Sequence, residues 1–196
     1  MEVVLASGNQ GKLRELSARL GDQFLVRPQS EWNLQQPPET GQSFLENALL
    51  KARFAAEKTG LYCVADDSGL SVDHLQGAPG IYSARYAGEQ ASDQDNIDLV
   101  LEKMHGVKAD RRGCAFHCAM VGCSPDATLA PILIECHWRG TLREKMSGSG
   151  GFGYDPIFQP DGMQCTSAEL EPEHKNLISH RGQAMSLLIG RLKELG

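Results

Sequence analysis

The sequence predicts an α/β fold, and three observations carry that expectation. Short apolar runs suited to buried strands alternate with segments whose apolar residues recur at helical spacing. Glycine- and proline-rich stretches separate them. A chain of 196 residues with 41% hydrophobic composition has ample material for a core, and its length suits one domain over residues 1–196, with room for two lobes.

From the N-terminus, Val3 to Ala6 reads as a buried strand. Ser7-Gly8-Asn9-Gln10-Gly11-Lys12 forms a loop, and Leu13, Leu16 and Leu20 then mark a helix. The stretch "VRPQSEWNLQQPPETGQ" reads as a long polar connection. Ser43 and Glu46 form an S-x-x-E capping box that starts a helix with Leu45, Ala48, Leu49, Ala52 and Ala56 on one face, ended by Lys58-Thr59-Gly60. "LYCVADDSGLSVD" suits a strand of about five residues, a turn at Asp67-Ser68-Gly69 and a second strand running back. "QGAPGIYSARYAGE" reads as loop.

Ser92 and Asp95 cap a helix carrying Ile97, Val100, Leu101 and Met104, which stops at Gly106. Two β segments follow, "GCAFHCAMVG" and "TLAPILIECHWRG", and then the glycine-dense "SGSGGFGYDPIF", which excludes a helix. A short capped segment spans Thr166 to Glu169. A last helix starts near Ser179, with Met185, Leu188, Ile189, Leu192 and Leu195 facing the core.

Net charge of −6 argues against a broad basic footprint for nucleic acid. No run approaches a membrane span, and "MEVVLASGN" carries an acid where a signal peptide wants basic residues. A cytoplasmic protein with no membrane partner is expected. The six cysteines lack paired CxxC spacing and are expected as free, mostly buried thiols. Cys114, Phe116, Cys118 and Met120 alternate on one strand face, which reads as core packing.

Several constellations suit chemistry. The loop from Ser7 to Lys12 joins a strand to a helix N-terminus, where backbone N–H groups, the helix dipole and the Lys12 charge suit a phosphate chain. Its spacing is not that of a Walker loop, and a plain tight turn is the alternative. Asp66 and Asp67 place two acids together, a cost that a divalent cation relieves. Mg²⁺ held by one or two carboxylates plus phosphate oxygens and water suits this pattern, and an Asp-Ser-Gly turn is the alternative.

Glu39, on a loop, suits a metal better than Glu46, which serves the cap. Lys51 flanks the apolar helix face beside Phe44 and Asn47, placed to reach inward. In "GGFGYD", Phe152 or Tyr154 offers a stacking platform and Asp155 an acceptor for a ring N–H, unless both rings plug into the core. Lys175, His180 and Arg181 are donors for a carbonyl oxygen or phosphate. The last two open a helix, where the dipole does not favour them.

Together "SGNQGK", "ETGQSFLENALLKA", "ADDSGL", "GAPGIYSARY", "GGFGYDPIF" and "ISHRGQA" follow the order found in the non-canonical purine nucleoside triphosphate pyrophosphatases, the inosine triphosphatase family. The sequence closely resembles that family from Ser7 to near the C-terminus. The resemblance implies a two-lobed fold around a long mixed β-sheet flanked by helices, a nucleotide cleft between the lobes and a homodimer. It also implies Mg²⁺-dependent hydrolysis of ITP, dITP and XTP to monophosphate and pyrophosphate.

By position, Ser7, Gly8, Asn9, Gln10, Gly11, Lys12, Lys51 and Lys175 match the family's phosphate contacts. Glu39 and Asp67 match its metal site, with Asp67 also the proton acceptor and Ser68 a substrate contact. Phe152, Gly153, Tyr154, Asp155, His180 and Arg181 match the base pocket. "CAFHC" and an additional small residue in "SGSGGFGYD" depart from the usual pattern, outside the motif residues. A phosphomonoesterase using the aspartate pair, or a nucleotide-binding regulator without turnover, are the alternative functions.

Overall fold

The computed structural model describes residues 1–8, 10–20 and 24–195. Strand β1 (Glu2–Leu5) leads into helix α1 (Gln10–Leu20), which buries Leu16 and Leu20. Strand β2 (Leu25–Pro28) takes up the first three residues of the stretch expected to be irregular, with Leu25 before it, and pairs parallel to β1. Its sequence hides it because β2 is an edge strand with no buried residue, and edges tolerate its proline. Helix α2 (Phe44–Thr59) begins after the Ser43 cap and ends at Gly60, whose φ of +68° turns the chain out of the helix.

Strand β3 (Tyr62–Val72) runs unbroken for 11 residues, so the expected turn at Asp67-Ser68-Gly69 does not form. Polar residues interrupt the apolar run without interrupting the strand. Helix α3 (Asp93–Lys103) carries the expected Ser92–Asp95 capping box. Strands β4 (Gly113–Cys123) and β5 (Ile132–Leu142) follow, and a three-residue strand β6 (Phe158–Pro160) pairs antiparallel to β5. Helix α4 (Pro172–Ile178) was not expected. Its seven residues are too few to show a helical period, although Pro172 suits a helix start.

Helix α5 (His180–Lys193) closes the chain. It buries Met185, Leu188 and Leu192, whereas Leu195 lies past its end and is exposed. The open sheet has the order β2-β1-β3-β4-β5-β6 and is mixed, since β1 is parallel to β2 and β3 whereas β5 and β6 are antiparallel.

The chain divides into two compact units. The first comprises residues 1–67, 118–135 and 184–196, and the second residues 68–117 and 136–183. Each has its own core. In the first unit, Ala48, Ala52, Ala55 and Ala56 of α2 pack with Val4, Cys63, Ala65, Ala119 and Val121. In the second, Ile97, Val100 and Met104 of α3 pack with Leu70, Val72, Phe116, Trp138, Leu142 and Phe158. All six cysteines are free thiols and four are buried, including Cys114 and Cys118 of β4. No described helix is long and apolar enough to cross a membrane.

Core packing also sets an alkaline limit on stability. Burial pushes the Tyr62 hydroxyl up from 10.0 to about 12 and the Cys63 thiol up from 9.0 to about 11. The unfolded chain releases these protons at lower pH than the folded chain does, so stability falls as pH rises through this window. The melting temperature should therefore decline steadily from about pH 9 to about pH 12. A thermal melt followed by circular dichroism across that range checks this, and a constant melting temperature would contradict it.

Candidate active site

In the first unit, β3 and α2 position the acidic residues. Successive side chains on a strand point to opposite faces, so Asp67 joins Cys63 and Ala65 on the side of α2, while Asp66 points the other way. The sequence suggests one acidic pair; the structure gives each aspartate its own lysine. Lys12 of α1 donates to Asp66 Oδ2 at 2.6 Å, and Lys51 of α2 donates to Asp67 Oδ1 at 3.2 Å.

Lys51 also donates to Glu39 Oε1 at 2.9 Å, so two carboxylates from a loop and a strand converge on one buried ammonium. Asp66 pairs with Lys12 and acts on the Lys51 ammonium through its charge, more weakly than Asp67 and Glu39 do. Burial acts most strongly on the Asp67 carboxyl and raises its pKa, opposed by Lys51 and reinforced by Glu39. Burial by itself would lower the Lys51 pKa, but Asp67 and Glu39 together outweigh it and raise it.

Asn47 completes this cluster. It is fully buried on α2, where its amide nitrogen donates to Asp67 Oδ2 at 3.3 Å and its oxygen accepts from Gly41 N at 2.8 Å. A Cβ on Gly41 would lie 2.6 Å from that oxygen and 2.7 Å from Glu46 Cβ. Glycine therefore lets the loop bearing Glu39 sit close against the start of α2. At the cap, Ser43 Oγ accepts from Glu46 N at 3.1 Å, but the Glu46 carboxylate accepts from Gln42 N at 2.6 Å rather than from Ser43 N. Only one arm of the expected box forms as written.

Of the opening loop, Ser7 is half-buried and Gly8 exposed. Gln10 and Gly11 form the first residues of α1. Asn9, and the side-chain placement of Gln10, lie outside the described residues.

The second unit gathers the other candidates. Phe152 is 62% exposed, while Tyr154 is buried and its hydroxyl donates to Ser83 O at 2.8 Å. The two rings therefore divide the expected alternatives, one facing out and one in the core. Asp155 is buried and already accepts from Phe152 N at 2.8 Å, from Ser167 Oγ at 2.7 Å and from Lys175. The Lys175 ammonium also lies 5.3 Å from the centre of the Phe152 ring. Gly153 N donates to Asp93 Oδ2 at 2.7 Å, so α3 pins the same loop.

His180 and Arg181 are each 8% exposed at the start of α5. The His180 ring stacks on Phe116 with centres 4.8 Å apart and planes 8° apart, and Trp138 lies beyond. Ser68 is half-buried on β3. Gly182 lets α5 start against α4, because a Cβ there would overlap the Asn176 carbonyl. Gly182→Ala should cost about 1–3 kcal/mol through overpacking. Chemical denaturation measures this, and an unchanged midpoint would contradict it.

The structure thus brings Glu39, Lys51 and Asp67 together in one unit, and Phe152, Asp155 and Lys175 in the other. Lys175 sits with the aromatic loop. Asn47, Ser167 and Asp93 are support residues that the sequence reading passed over. Asn47 left a signal, a polar residue one helical turn before Lys51 at the edge of the apolar face; Ser167 and Asp93 left none, because both sit at helix starts where such residues are common.

Among the described residues no group of three or more His, Cys, Asp or Glu side chains converges as a metal cage. What the first unit offers is a pair of hard oxygen donors beside a lysine. The second offers an exposed ring beside one anchored lysine.

The Ham1 family profile matches residues 3–191. A dITP/XTP pyrophosphatase of Vibrio vulnificus strain YJ016 is 51% identical over 194 residues, 98% of this chain and 97% of the relative. One from Methylococcus capsulatus strain Bath is 50% identical over 195 residues, covering 99% and 97%. The structure of a HAM1 protein from Coxiella burnetii superposes with a TM-score of 0.94 at 44% identity, covering 99% of each chain. A nucleoside-triphosphatase, or dITP/XTP pyrophosphatase, from Mycobacterium abscessus gives 0.82 at 42% identity, covering 96% of this chain and 98% of that one. With matches of this extent to both sequence and fold, the chain belongs to the Ham1 family.

Proposed function

We propose that this protein hydrolyses the triphosphates of non-canonical purines, dITP, XTP and ITP, to monophosphate and pyrophosphate with Mg²⁺. Relatives at about half identity named for dITP and XTP support the substrate class. The observation that carries the chemistry is the convergence of Glu39 and Asp67 on one positive centre. Their oxygens already hold a cation between them, and two carboxylates that leave room for phosphate oxygens and water are a donor set that would suit Mg²⁺. A divalent cation held by Glu39 and Asp67 would neutralise charge on the phosphate oxygens.

The chain's own residues do the rest. Asp67 Oδ1 faces the cation, while Oδ2 is held only by the long Asn47 contact of 3.3 Å among its described bonds. Oδ2 takes the proton of the water that attacks the α-phosphorus. Burial raises the proton affinity of the Asp67 carboxyl, and a metal on Oδ1 would oppose that rise, so its suitability as acceptor rests on the position of Oδ2. Lys12 and Lys51 are the cations for the triphosphate, with the α1 N-terminus behind Ser7 and Gly8.

In the second unit, Phe152 supplies the stacking face, and Asp155 and Lys175 fix its loop. His180 and Arg181 donate to the 6-oxo group of the base. Such donors oppose the 6-amino group of adenine, and unpaired polar groups discriminate by about 10⁴. The family resemblance further supports a homodimer acting in the cytoplasm. A phosphate-release assay on dITP tests the bond that breaks. Phosphate should appear only when an inorganic pyrophosphatase is added, and phosphate without it would point to a phosphomonoesterase.

A further inference from the structure

We infer that Lys51 is a resident stand-in for the metal, so that a divalent cation binds weakly until a triphosphate gives Lys51 another partner. The inference rests on the reading of Glu39 and Asp67 as the metal pair. Lys51 Nζ lies 2.9 Å from Glu39 Oε1 and 3.2 Å from Asp67 Oδ1, the two oxygens that would face the ion. All three side chains are shielded, with 7%, 23% and 14% of the lysine, glutamate and aspartate exposed. A divalent ion entering there would meet the ammonium at close range, and like charges at that range repel strongly.

A triphosphate resolves the conflict by exchange of partners. Its oxygens take the ammonium, and the carboxylates are left to the ion. On the opposite face of β3, Lys12 and Asp66 form a second pair of the same kind, 2.6 Å apart with Asp66 only 2% exposed. Lys12 and Lys51, the two lysines of this unit assigned to the triphosphate, are thus each neutralised by carboxylates. Metal and triphosphate then assist each other's binding, and the assistance is reciprocal. The protein avoids holding an uncompensated cluster of either sign, and it loads its metal only with a substrate in place.

Mn²⁺ binding, followed by electron paramagnetic resonance with inorganic tripolyphosphate as the anion, tests this without turnover. In the wild-type protein, tripolyphosphate should raise Mn²⁺ affinity roughly tenfold or more, after correction for the Mn²⁺-tripolyphosphate complex formed in buffer. Lys51→Met should bind Mn²⁺ alone roughly tenfold tighter than wild type, and the gain from tripolyphosphate should shrink. Equal wild-type affinity with and without tripolyphosphate would overturn the inference, even if the variant failed to fold. Equal affinity of wild type and Lys51→Met for Mn²⁺ alone would overturn it too, while leaving the metal pair intact. Absence of Mn²⁺ binding in every arm would remove the metal reading and this inference together.

Discussion

Asp67→Asn should lower kcat by about 10²- to 10⁴-fold, the usual contribution of a positioned proton acceptor. The substitution keeps the size of the side chain and its place on β3, so the loss reports on chemistry. Asparagine cannot take the proton from the attacking water, and its amide would place a donor beside Lys51 or Asn47, which are both donors to this carboxylate. Metal affinity should fall at the same time, because one of two converging carboxylates is gone. Steady-state kinetics with dITP, together with Mn²⁺ titration, measures both. Near-wild-type kcat with unchanged metal affinity would contradict the role given to Asp67.

Asp155→Ala is expected to act on the other unit and in another way. The carboxylate accepts from Phe152 N, Ser167 Oγ and Lys175, and its side chain is 3% exposed. Alanine removes the carboxylate that accepts from all three donors and leaves a sheltered ammonium without its partner. Breaking a buried pair from one side costs about 3–5 kcal/mol, and with Lys175 15% exposed the lower end applies. For a chain of this length that is a drop of roughly 6–12 °C in melting temperature. The Phe152 platform loosens with it, so KM for dITP should rise more than kcat falls. Calorimetry and kinetics on the same preparation decide this, and unchanged melting with unchanged KM would exclude the anchoring role.

How much of this was legible in the sequence depends on what each segment had to signal. Helices α2 and α3 declared themselves because each combines a serine cap with an apolar face several turns long. Strand β4 did so through the spacing of Cys114, Phe116, Cys118 and Met120, although almost all of its residues, on both faces, are buried. Strand β2 and helix α4 were hidden because one is a polar edge and the other is seven residues long. Strand β3 misled in a more informative way. Asp66, Asp67 and Ser68 look like a turn because turns favour such residues, yet they sit mid-strand, where local preference yields to the needs of a site.

The site was legible as a set of residue types and less so as an arrangement. Glu39 and Lys51 were both singled out, but their contact with each other was not, since no spacing rule links a loop glutamate to a helix lysine 12 residues later. Lys175 shows the same limit. Its charge suggests phosphate, whereas its neighbours are Asp155 and Phe152. The strand period does explain after the fact why Asp66 and Asp67 part company, because adjacent strand residues cannot share a face.

Product identification on a nucleotide panel tests the central claim most directly. Incubating the protein and Mg²⁺ with ITP, XTP, dITP, GTP and ATP, and resolving the products by chromatography, should give monophosphate and pyrophosphate from the first three and little turnover of GTP or ATP. Diphosphate and orthophosphate as products, comparable turnover of ATP, or nucleotide bound but left intact would contradict the account.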